Sequence, residues 1–398
     1  MPSALRCLVV VVLALLSAAP APAFDLFPFC SRDRVVRLNE KLGGRVLDFT
    51  DNHGCDRRLY STALGQKRDV YVYLPPGYDG KTQFPAMLWL HGLGQDERSF
   101  LKVVEIFDRG IRAGTLPPAV IAAPDGSVRG TPSLFNMGSF YINSKAGNFE
   151  DYIVDDVWGF LKTHYAIRPE REAHIIAGAS MGGYGAYNLG IKHKSEFGLI
   201  AGLMPPLNLR YTDLRGNYFG HFVPGMATFR TDMTRNAIVG RFYGFILIRS
   251  RRILDPIVGR RHPDAVGFVA KENPIEMLAA YDVKPGEFEM FVGYGTKDEF
   301  NIDAQVQHFV EVANRRGIYP EVVVVPGGRH SVADGLLMIP AASQWATARL
   351  AKYVPPGYDP TVGNGTGVPR CAVRPPMPFI TEPQGFDLSR PMVPAKLP

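Results

Sequence analysis

Cysteine, tryptophan and long apolar runs are all scarce in this sequence. Its 398 residues include four cysteines and three tryptophans. No two cysteines stand in a C-x-x-C spacing and no cluster of histidines and cysteines suggests a metal site. Neither a metal site nor a dense disulfide framework is therefore written into the chain. A strong charge of one sign is missing too. With 44 basic and 38 acidic residues the net charge is +6, too mild to argue for a nucleic-acid partner. Only one apolar run is long, Leu8–Leu16, and it is too short to span a bilayer comfortably. No internal repeat is visible.

That run reads as an export signal instead. Arg6 precedes it, and "SAAPAPA" follows, ending in Ala21, Pro22 and Ala23. This is the pattern of a signal peptide covering 1–23, so the mature chain is expected to begin at Phe24 and to be secreted or periplasmic. Loss of Arg6 leaves the mature chain mildly basic. Three cysteines then remain, Cys30, Cys55 and Cys371, enough for one bridge at most. Cys30–Cys55 is the shortest pairing, Cys371 is the rival partner, and spacing does not choose. Asn364-Gly365-Thr366 is a glycosylation sequon.

What the chain has in plenty is glycine and proline, 41 and 33 residues, the marks of many tight turns. Residues 24–66 read as an irregular lead-in. From Arg68 to Val354 short apolar strands alternate with amphipathic helices. "RDVYVYL", "FPAMLWL", "AVIAAP", "AHIIAG", "FEMFVGYG" and "EVVVV" are the strands. "FEDYIVDDVWGFLKTHY", "MGGYGAYNLGIKH", "IDAQVQHFVEVANRRG" and a last segment near "ASQWATARLAKYV" are the helices. Alternation of this kind predicts an α/β fold, with a mostly parallel central sheet and helices on both faces. A domain over 67–354 is expected, with a cap-like insertion at 205–270. A tail over 355–398, with eleven prolines in 44 residues, is expected to be extended.

The densest glycine cluster is "AHIIAGASMGGYGAYNLG", Ala173–Gly190. Gly178-Ala179-Ser180-Met181-Gly182 matches G-x-S-x-G. In that motif a strand turns sharply into a helix, with the serine exposed at the apex and no room for side chains two residues either side. A serine nucleophile needs a base, an orienting acid and two amide donors for an oxyanion, in the chain order Ser, Asp or Glu, His. His193 and His308 fall in helical patterns and read as surface residues, and His221 and His262 lie in the insertion. His330 stands in a glycine turn after a strand and is the expected base. Asp298, in the turn after the preceding strand, is the expected acid, with Glu299 and Asp303 as rivals. The amides of Met181 and Leu93 are the expected oxyanion donors, with Gly92 the rival in the second loop. His91 reads as a residue that shapes this loop. His91, Ser180, Asp298 and His330 all follow strand C-termini, the edge where α/β sheets bind ligands.

Taken together, "VYLPPGYD", "LWLHGLGQDE", "GASMGGYGA", "NPIEML", "GYGTKDEF" and "PGGRHS" resemble the putative esterase family of α/β-hydrolases. That family includes S-formylglutathione hydrolases, feruloyl esterases and mycolyltransferases. The likeness runs from about Arg68 to Tyr353. It implies the α/β-hydrolase fold and a carboxylic ester hydrolase that uses no cofactor, acting on a small-molecule or glycan-linked ester through an acyl-enzyme. An acyltransferase with a sugar hydroxyl as acceptor, a serine peptidase and a non-catalytic secreted binding protein are the alternatives.

The insertion departs from the family pattern. Between Pro205 and Ala270 it holds ten arginines and four aspartates. Its segment "RFYGFILIRSRRIL", Arg241–Leu254, is an apolar run flanked by arginines. It reads as a lid lining an acyl pocket, as a patch that touches an anionic surface, or as a buried capping helix.

Overall fold

A computed structural model describes residues 31–52, 55–131 and 138–363. The expected signal peptide, Cys30, Cys371, the sequon and most of the proline-rich tail lie outside the described residues, as does the side chain of Cys55.

Eight strands form the central sheet: β1 (Arg45–Phe49), β2 (Val70–Leu74), β3 (Ala86–Leu90), β4 (Val120–Pro124), β5 (His174–Ala179), β6 (Leu199–Leu203), β7 (Glu289–Gly295) and β8 (Glu321–Val325). Their spatial order is β1-β2-β4-β3-β5-β6-β7-β8. From β4 to β8 all pairings are parallel, and β2 runs antiparallel to both β1 and β4. All five residues of β3, β4 and β6 are buried, as expected of parallel strands covered on both faces. This is the α/β-hydrolase fold.

The lead-in is not irregular. Ser31–Asn39 is a helix, and β1 joins the sheet edge beside β2. The partners that hold it come from far along the chain, which is why local sequence pattern misses it. Asp108 accepts the amides of Gly43 and Gly44 at 3.2 and 2.8 Å and the Tyr73 hydroxyl at 2.9 Å. Asn39 clips both polar groups of Val46. The folded unit therefore starts before residue 67. It also runs past 354, because Tyr358 packs edge-on against Phe84 with ring centroids 5.7 Å apart. The tail is thus docked where it begins.

The helix expected at Phe149–Tyr165 is present, with a π-wound stretch over Tyr152–Trp158. His308 is a correction. It lies on the helix Ile302–Arg315 but is buried, because the insertion folds over it. Asn208 bonds its Nδ1 at 2.9 Å and the rings of Tyr211, Phe222 and Phe229 surround it.

The insertion has its own order. Tyr211–Thr212 pairs with Thr228–Phe229, and Ile238–Phe242 pairs with Ile246–Arg249 as a hairpin. The helices Ser250–Ile257 and Ala265–Lys271 follow. "RFYGFILIRSRRIL" is therefore half hairpin and half helix, because Tyr243 and Gly244 both take positive φ and turn the chain back.

Candidate active site

The site forms where β3, β5, β7 and β8 end. After β5 the chain enters the helix Met181–Lys192 through Ser180, whose φ of +54° and ψ of −118° are costly for a residue with a Cβ, about 1–3 kcal/mol. The surroundings enforce this. The Ser180 amide donates to Leu203 O at 2.8 Å, and the Tyr184 amide donates to Ser180 O at 2.9 Å. A Cβ on Gly178 would stand 2.5 Å from Gly182 C and 2.6 Å from Leu90 O. One on Gly182 would collide with Leu90 O. The two glycines let the turn pass against the end of β3, and the turn raises Ser180 above the sheet edge.

Ser180 Oγ and His330 Nε2 are 2.8 Å apart, and His330 Nδ1 and Asp298 Oδ2 are 2.7 Å apart. The three expected residues therefore form one hydrogen-bonded line, although 150 positions separate the first two. The two loops that carry the acid and the imidazole are pinned together. The Lys297 amide donates to Gly328 O at 2.8 Å and the Gly327 amide to Thr296 Oγ1 at 2.8 Å. Burial works against a charged His330. The Asp298 charge and hydrogen bond, with the Glu299 charge, outweigh it and hold the imidazole above its ordinary value.

Asp298 also accepts the Phe300 amide at 2.8 Å through Oδ1, which fixes the carboxylate plane. Of its rivals, Asp303 sits in the first turn of the helix Ile302–Arg315. Glu299 reaches the neighbourhood without touching the imidazole. Its two oxygens take the His330 amide at 2.8 Å and Arg329 Nε at 2.7 Å. It is a positioning residue that sequence reading ranked only as a rival acid. Its position beside Asp298 was the one available signal. Phe300, missed altogether, lies edge-on to His330 with ring centroids 4.9 Å apart.

Met181 opens the helix, where the first amides have no intrahelical acceptor. In the β3 loop the Gly92 amide donates to Gln95 Oε1 at 3.1 Å, which engages the rival of Leu93. His91 is buried, with Nδ1 donating to Gly92 O at 2.9 Å and Nε2 accepting the Gly126 amide at 2.8 Å. Both ring nitrogens hold loops, in keeping with a shaping role.

Ser180 and His330 open onto a cavity of about 110 Å³. Leu93, Met181 and Tyr184 form its sheet side, and more than half of its lining comes from 205–270, including Ile253, Leu254 and Phe268. The helix Ser250–Ile257 thus turns Ile253, Leu254 and Ile257 inward while Arg251 and Arg252 stay exposed. Tyr184 both packs and lines the cavity, its hydroxyl donating to Glu272 O at 2.7 Å.

Among the described residues one group of three acids, Asp69, Glu97 and Asp125, is close enough to resemble a metal site. Arg68 already pairs with Asp125 at 2.9 Å. Burial, with Asp125 as a neighbour of both, pushes the Asp69 carboxyl up to about 6 and Glu97 well above its usual range.

A family model described as Putative esterase matches residues 61–244. The matched span contains Leu93, Ser180 and Met181 and ends before Asp298 and His330. Esterase Rv1288 of Mycobacterium tuberculosis (strain ATCC 25618 / H37Rv) is 28% identical over 182 residues, 44% of this chain and 38% of its own length. The chain thus spans well under half of that relative. Among solved structures, a ferulic acid esterase is 17% identical, with a TM-score of 0.55, over 77% of this chain and 99% of its own. An S-formylglutathione hydrolase from Agrobacterium tumefaciens is 18% identical, with a TM-score of 0.55, over 77% and 95%. At these identities the two structures share the fold with this chain.

Proposed function

We propose that this protein is a member of the putative esterase family and an exported serine carboxylic ester hydrolase. The observation that carries the reading is the continuous Ser180–His330–Asp298 line opening onto an apolar cavity. In the mechanism His330 Nε2 takes the Ser180 proton as Oγ attacks the ester carbonyl. The Met181 and Leu93 amides hold the oxyanion, and His330 returns the proton to the leaving alcohol. Water, deprotonated by the same imidazole, then releases the acid and frees Ser180. Asp298 holds the productive tautomer and stabilises the imidazolium. The acyl group sits against Ile253 and Leu254, where an apolar chain leaves water for an apolar wall.

The direct test is incubation of mature protein with a fluorophosphonate, followed by peptide mass spectrometry, alongside turnover of p-nitrophenyl esters from acetyl to dodecanoyl and of methyl ferulate. A covalent adduct on Ser180 with turnover of one ester series supports the reading. An unlabelled Ser180 with no turnover overturns it.

Chain-length preference follows from the cavity wall. Ile253→Trp is expected to cut kcat/KM for the longer acyl esters by roughly tenfold or more while acetyl ester turnover stays within about twofold. A uniform loss across the series would place the acyl group elsewhere.

The acid limb of the pH profile follows from His330. Only the neutral imidazole accepts the serine proton, and its pKa is raised. The kcat/KM profile is therefore expected to fall as pH drops through a value above that of a free imidazole, about 6.5. Asp298→Asn removes the largest raising influence, so the limb should move to lower pH while the plateau drops by about 10⁴-fold. A limb that stays in place would mean a different titrating group.

A further inference from the structure

The hairpin Ile238–Phe242/Ile246–Arg249 has two faces with different chemistry. Its register pairs Gly240 with Ile248, Arg241 with Leu247 and Phe242 with Ile246. The inner face rests on the active site. Phe242 meets Phe300 with ring centroids 5.3 Å apart, and Phe300 is the ring that abuts His330. A Cβ on Gly240 would stand 2.8 Å from Phe300, and the Arg241 amide donates to Glu299 O at 2.8 Å. The outer face and tip carry Tyr243, Phe245 and Leu247, exposed by 61, 67 and 42%. Three large apolar side chains grouped on one short hairpin do nothing for the core, and a patch of this kind marks an interaction site.

The charges around the patch select its partner. Arg241, Lys297 and Arg329 line the same groove as Tyr243, together with Asp298 and Glu299, and Arg329 is paired with Glu299. From Ile238 to His262 there are six arginines and one acidic residue, Asp255, which is itself paired with Arg235. We propose that this hairpin docks the protein on an anionic lipid surface. The tip side chains enter the headgroup layer and the surrounding cations meet lipid phosphates. Because the same hairpin abuts Phe300 and leads into the helix that lines the cavity, docking seats the active site beside the lipid. The proposal goes beyond ester hydrolysis and does not require it.

The test is co-sedimentation of the full mature chain with phosphatidylcholine vesicles, with and without about one-third phosphatidylglycerol, at low and high salt. Binding is expected on the phosphatidylglycerol vesicles and should weaken with salt. The double variant Phe245→Ser/Leu247→Ser should bind roughly tenfold or more weakly. Turnover of a water-soluble acetyl ester and the circular dichroism of that variant should match the wild type. Wild-type protein that ignores anionic vesicles overturns the proposal, as does a variant that binds them equally. A wild-type dimer that the variant dissociates, without vesicle binding, also overturns it and makes the face a self-interface. Vesicle binding by a protein that hydrolyses no ester would leave docking standing and remove the hydrolase reading alone.

Discussion

Ser180→Ala is expected to lower kcat/KM for ester hydrolysis by about 10⁴- to 10⁶-fold while the melting temperature changes little. The alanine removes the oxygen placed 2.8 Å from His330 Nε2 and leaves the Met181 and Leu93 amides and the cavity in place. Substrate analogues should therefore still bind. Combining the change with His330→Ala should add little further loss, because the two groups act as a unit. Steady-state kinetics on one p-nitrophenyl ester, with the melting curve as control, measures this. A Ser180→Ala protein with more than about one-hundredth of wild-type activity would require another nucleophile.

The second large effect is on the fold. Gly182→Ala is expected to destabilise the protein by more than about 4 kcal/mol or to prevent folding. Its new methyl group would meet Leu90 O, and would lie 2.8 Å from His91 O, both of them backbone at the end of a central strand. Neither atom is the far end of a flexible side chain, so relief means shifting β3 against β5. Gly159→Ala is the matched control. A Cβ there meets nothing within 4 Å, and the residue lies in a helix, so a gain of up to about 1 kcal/mol is expected. Urea unfolding of the two variants beside the wild type separates them. Equal stability of Gly182→Ala and wild type would mean that the elbow tolerates a side chain.

Much of the candidate site was legible in the chain because its chemistry is tied to local turns. G-x-S-x-G needs only a strand, a glycine on each side and a helix, all within Ala173–Gly190. His330 and Asp298 stood out as polar residues in glycine turns at strand ends, in the required chain order. Glu299 and Phe300 were harder to place, since each acts through a contact some thirty residues away in sequence, with the His330 amide and ring respectively. The edge strand β1 was hidden for a similar reason. Five residues of weak alternation do not declare a strand until β2 and Asp108 supply its partners.

The insertion shows the division most clearly. Its arginines and its apolar run were plain in the sequence, and one stretch had to serve as lid, surface patch or buried helix. The fold divides it, because Tyr243 and Gly244 reverse the chain and the helix after Arg249 has its apolar stripe against the cavity. Local pattern sets which residues prefer to turn, alternate or wind, since those preferences act over a few bonds. Which faces become buried depends on what packs against them, and the packing partners arrive from distant parts of the chain. Thus the sequence by itself determined the sharp turn at Ser180, the two residues aligned with it by hydrogen bonds and the α/β order. Only the tertiary structure decided that the basic insertion walls the cavity on one side and presents an aromatic tip to solvent on the other.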